Sequence, residues 1–112
     1  MQPVPKQLKR LIQEWAGVAH DRELSQALLE LRGHFDRWQR GEILALELNE
    51  LIHKYHQGPA REIWKHYATN HLEPAIGFGI ATGILRRDEL PPELCEHVAG
   101  WIQFYESEQS AS

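Results

Sequence analysis

The chain has a single cysteine, Cys95, among its 112 residues. One thiol closes no internal disulfide and cannot supply a multi-cysteine zinc framework, so the fold must be held by packing. On a predicted helix among apolar and acidic neighbours, Cys95 reads as a buried, reduced thiol. Long apolar runs are also missing. No stretch approaches the roughly 20 apolar residues of a membrane-spanning helix, and the first residues lack the apolar segment of a secretory signal. The expectation is a cytoplasmic protein without a membrane partner. Basic residues are in deficit, with 12 Lys and Arg against 16 Asp and Glu and a formal charge of −4. General nucleic-acid binding needs a surplus of cations, so that balance argues against it. Period-two alternation of strand length is absent too, which argues against a sheet.

What remains is ordinary for a globular protein, with 42% apolar and 25% charged residues. That size and composition predict one helical domain over residues 1–106, followed by a small, polar, flexible tail over 107–112. Charge is unevenly placed, because residues 1–40 hold 7 bases and 5 acids whereas residues 88–112 hold 6 acids and no Lys or Arg. Such asymmetry suits docking to a basic partner or to a second copy of the chain.

Apolar periodicity predicts an all-α fold, a compact bundle of about six short helices. Leu8, Leu11, Ile12, Trp15 and Val18 define a first helix expected to fray near Gly17. Asp21 is placed to cap a second, whose Leu24, Leu28, Leu31, Phe35 and Trp38 form one packing seam that Gly41 ends. A third helix carries Leu44, Leu48, Leu51, Ile52 and Tyr55 up to the Gln57-Gly58-Pro59 break. Pro59 opens a fourth with Ala60, Ile63, Trp64 and Tyr67 inward and Arg61 and Lys65 outward. The segment from Pro74 to Leu85 has no charge and is apolar all round, which marks either a central helix or one covered by a partner. Its stripe of Ala75, Gly79 and Gly83 would admit a close neighbouring backbone. Leu90-Pro91-Pro92 introduces a last helix with Leu94, Val98, Trp101, Ile102 and Tyr105 inward. Trp15, Trp38 and Trp101, all on apolar seams, are expected to anchor the core.

The seven histidines raise the question of a metal. Glu50, His53 and His56 follow at intervals of three on the third helix, which is half of a carboxylate-bridged di-iron pattern. A second Glu-x-x-His is absent, and Glu50 and His53 fall opposite Leu48 and Leu51 on the helical wheel. The three are carried as the ligand set of an alternative, metal-binding reading, with no cofactor expected otherwise. Cys95 and His97 would point about 200° apart on a helix, so they make no nucleophile and base pair. Gly77-Phe78-Gly79 and Gly83 lack the strand and the spacing of a dinucleotide-binding turn.

Another alternative is a helix-turn-helix nucleic-acid binder, with the Gly58-Pro59 turn between two helices and Arg61 and Lys65 exposed on the second. The leading expectation is a noncatalytic protein-interaction or regulatory module, because helical patterning is strong and no catalytic constellation is present. An acidic immunity or antitoxin-like binder is one concrete form. Its partner, a protein or a second copy, is expected at the corner bearing His53, His56, Arg61, Glu62 and Lys65, or on the uncharged helix around Gly79.

Overall fold

Glycine inside a helix costs about 1 kcal/mol relative to alanine, yet Gly17 interrupts nothing. In the computed structural model, which describes residues 4–110, the first helix, α1, runs unbroken over Lys6–Gln39, 34 residues. Gly17 faces solvent while Ala16 and Ala19 on either side are buried and Trp15 and Val18 pack against the core. Burial on both sides outweighs the local cost, so the two helices expected around Gly17 are one. Asp21, read as an N-cap, lies exposed within it. The far end behaves as its glycine predicts. Gly41 takes a φ of +77°, its N–H donates to Trp38 O at 3.0 Å, and Glu42 N–H donates to Arg37 O at 2.9 Å, a Schellman closure.

The remaining elements follow in chain order: α2 (Ala45–Gln57), α3 (Pro59–Tyr67), α4 (Glu73–Ala81), a single 3-10 turn (Arg87–Glu89), α5 (Pro92–His97) and α6 (Ala99–Ser110). Every regular element among the described residues is helical, so the all-α bundle expected from the periodicity is what forms. Its helix count matches because one fusion is balanced by one division: the last helix breaks at Val98, whose φ of −101° and ψ of 10° let the fully buried side chain turn the chain between α5 and α6. Helix α6 continues through Ser110, so residues 107–110 of the expected tail are helical, and residues 111–112 lie outside the described ones.

One core organises the molecule. Ile12, Ala16 and Ala19 of α1 meet Ile76 and Ile80 of α4, Leu85 and Leu90 of the following segment, and Leu94, Val98 and Ile102. Each fully buried aliphatic side chain there contributes about 1.5–3 kcal/mol. Helix α4 is central, enclosed between α1 and α6. Its decisive glycine is Gly77, where a Cβ would stand 2.9 Å from the backbone carbonyl carbon of Trp101 and 3.1 Å from Ile102 N. Gly79 meets Leu85 less tightly, and Gly83 lies beyond the helix at a φ of +84°, where it turns the chain instead of packing. The stripe read as Ala75, Gly79 and Gly83 is thus replaced by close approach at Gly77 and a turn at Gly83.

Arg22 ties this core to the middle of α1. Its guanidinium grips Glu89 through both nitrogens at 2.7 and 2.8 Å and donates to Ile84 O at 2.9 Å. Glu89 also accepts from Arg86 N–H at 2.8 Å. The Arg22 hydrogen bonds, then that backbone donor, hold the Glu89 carboxyl at about 2, below its ordinary 4.5. Cys95 is half-buried instead of buried, with its Sγ 3.9 Å from Arg87 O.

Candidate functional site

Beyond Ala19, α1 leaves the core. Its distal half packs against α2 and α3, and no residue from 20 to 66 belongs to the core cluster or its partly buried shell. A helix of 34 residues is about 50 Å long, which accounts for most of the molecule's 57 Å extent. The distal half and α2 form a helical hairpin, with α3 across its base. The base is fixed by His20 and Tyr67, whose rings stack at 4.5 Å with only 6° between planes. Burial, together with the Glu23 hydrogen bond, pushes the Tyr67 phenol well above its usual range.

A two-helix hairpin can cover only one face of each helix, and this one leaves much apolar surface bare. Of the eight large apolar side chains exposed among the described residues, six lie between positions 28 and 46: Leu28, Leu29, Phe35, Trp38, Leu44 and Leu46. Their exposure runs from 39% at Phe35 to 80% at Leu46. The seam read as Leu24 to Trp38 is therefore only partly closed within the chain, and Trp38 is not a core anchor. Leu48 and Ile43 are buried, as the hairpin's inner face requires. Trp64, expected to face inward on α3, is 60% exposed.

Where α1, α2 and α3 meet, a cleft of about 670 Å³ opens, lined by His20, Leu24, Tyr55, His56, Gln57, Ala60, Arg61 and Trp64. At 100° per residue, Leu24, Leu28, Leu31 and Phe35 fall within about 60° of one another, so the apolar line leaves the cleft along α1 toward the hairpin tip. The lining contains one guanidinium and two imidazoles but no carboxylate. Arg61 has no ion pair or hydrogen bond among the described residues. Asp21, next to His20 in the chain, is exposed and is not among the lining residues.

Of the residues singled out from the sequence, His56 and Arg61 line the cleft. His53, Glu62 and Lys65 are exposed beside it, and Lys65 pairs with Glu62 at 3.4 Å. Glu50, His53 and His56 are all exposed, and among the described residues no group of three His, Cys, Asp or Glu side chains could hold a metal ion. The proposed metal set is not brought together: Glu50 and His53 are exposed on α2 outside the cleft, whereas His56 belongs to the cleft lining. His20, Tyr55 and Trp64 were not singled out as site residues. Their contribution depends on α3 folding back beside α1, across some 40 residues of chain that no local spacing encodes.

An unbroken long helix, a hairpin arm and a cleft at its base define an all-α protein with an arm standing off its core. No family model, no curated protein and no solved structure matches the chain. None of its helices is long and apolar enough, over the described residues, to cross a membrane.

Proposed function

We propose that this chain is a noncatalytic interaction module that binds another protein along the groove of its distal arm. The observation that carries the reading is the group of exposed apolar side chains between Leu28 and Leu46, outside the core, of which Leu28 and Phe35 share a face of α1 with Leu24 in the cleft lining. Monomeric proteins rarely leave a large contiguous apolar patch in water, and such patches commonly mark an interface. A rigid helical groove suits an amphipathic helix laid into it. The module acts in the cytoplasm, and inhibition of a partner, as in an immunity or antitoxin-like binder, is one form its action takes.

The test begins with the purified protein as bait in native lysate. It then requires reconstitution with each captured protein in pure form. Leu28→Asp with Phe35→Asp should abolish the reconstituted complex, and Arg61→Ala with Lys65→Ala should weaken it, while circular dichroism and thermal melting show both variants folded. A complex untouched by the double aspartate variant would refute the reading. So would failure to reconstitute any.

A further inference from the structure

The groove has a chemical bias that its apolar stripe does not by itself impose. The chain is acidic overall, at −4, yet the cleft lining holds no carboxylate, one guanidinium, Arg61, and two imidazoles, His20 and His56. Among the described residues Arg61 has no partner, and it lines the cleft with the apolar Leu24 and Tyr55 and the exposed Trp64. Five of the 12 Lys and Arg side chains pair with acids among the described residues, Arg22 with Glu89, Arg40 with Glu42, Arg86 with Asp88, Arg87 with Glu106 and Lys65 with Glu62, and Arg61 is not one of them. Glu23, the acid on α1 nearest in sequence to Leu24, is not among the lining residues. The cleft therefore offers an unused planar donor fork, the geometry that suits a carboxylate, next to an apolar floor.

We infer that the cleft receives a carboxylate side chain from an acidic amphipathic helix of the partner, whose apolar residues lie along Leu24, Leu28 and Phe35. This rests on the interaction reading above and deepens it. Complementarity selects this occupant over a second copy of the same arm. A two-fold self-contact sets one patch against itself, and the cleft lining holds no carboxylate to offer a copied Arg61. The cleft also inverts the expectation from whole-chain charge, since the partner segment is acidic where the chain itself is acidic.

Synthetic helices test this without knowledge of the partner. One probe carries Leu or Phe at i, i+3, i+4 and i+7 with Glu on the flanks, and its twin carries Lys in place of every Glu. Affinity is read by anisotropy of the labelled peptide and by the fluorescence of Trp64, with Trp64→Phe identifying that signal. The acidic probe should bind about tenfold or more tightly than its twin and weaken as salt rises. Arg61→Ala should remove most of that preference, Arg61→Lys should keep part of it, and Arg61→Glu should reverse it in favour of the lysine probe. Leu28→Asp should weaken both probes.

Equal binding of the two probes, or a preference that survives Arg61→Ala, overturns the inference and leaves the interaction reading standing. Binding of neither probe, while a natural partner still reconstitutes through Leu28 and Phe35, overturns the inference alone. Self-association of the wild type that Leu28→Asp dissolves makes a second copy the occupant and overturns it as well. Loss of every partner, with neither probe bound, defeats both readings.

Discussion

Alanine at position 77 is the sharpest way to ask whether α4 and α6 pack as described. The substitution adds one methyl group where the nearest atom is Trp101 Cβ, itself fixed to the backbone, followed by two backbone atoms, Trp101 C at 2.9 Å and Ile102 N at 3.1 Å. None can swing aside as a long side chain could, so α6 must retreat from α4 by several tenths of an ångström. Overpacking of this kind costs about 1–3 kcal/mol, at the upper end when backbone has to move. For a domain of this size each kcal/mol lowers the melting temperature by about 4 °C, so Gly77→Ala should melt roughly 4–12 °C early. Gly17→Ala is the matched control, because a Cβ there meets nothing within 4 Å. It lies inside a helix and should gain up to about 1 kcal/mol. Thermal and urea unfolding of the two variants measure both effects. A Gly77→Ala protein as stable as wild type would refute the close α4–α6 contact, and a destabilised Gly17→Ala would refute the continuous α1.

The Glu89 carboxyl, held at about 2 by Arg22 against 4.5 when free, supplies stability that is complete above the higher value and lost as pH falls toward the lower. Urea unfolding at pH 5 and pH 3 should therefore show a drop in the wild type that is smaller in Glu89→Gln; equal drops would remove Glu89 as its source. Leu28→Asp with Phe35→Asp should leave the melting temperature within a few degrees of wild type while reducing binding of an apolar dye, since both side chains are already substantially exposed. Unfolding of that variant would show the stripe to be core. Untagged protein purified from cells should carry no stoichiometric metal, and His53→Ala should not change its metal content; bound metal lost in that variant would revive Glu50, His53 and His56 as ligands.

Helical periodicity located nearly every helix but not every boundary, for reasons of scale. The signals used at Gly17 and Asp21 are each worth about 1 kcal/mol, less than the packing of Trp15, Ala16, Val18 and Ala19 that holds α1 together. At Gly41 nothing opposed the local signal, and the helix ends there. Periodicity also reports that a face is apolar without reporting what covers it. Leu24 to Trp38 reads like any core seam, and only the bare hairpin reveals that Leu28, Phe35 and Trp38 lack a cover within the chain. The Arg22 grip on Glu89 spans 67 residues, and the cleft joins His20 to Trp64, so neither leaves a local trace. His56 and Arg61 are legible in the sequence because they flank one short turn.

The interaction surface is tested most directly by hydrogen exchange on the reconstituted complex. Binding should slow exchange in the distal half of α1, from about Leu24 to Gln39, and around His56 to Trp64, while α4 and α6 exchange as in the free protein. Protection confined to α6, with the arm unchanged, would contradict the proposal that the partner lies in the groove.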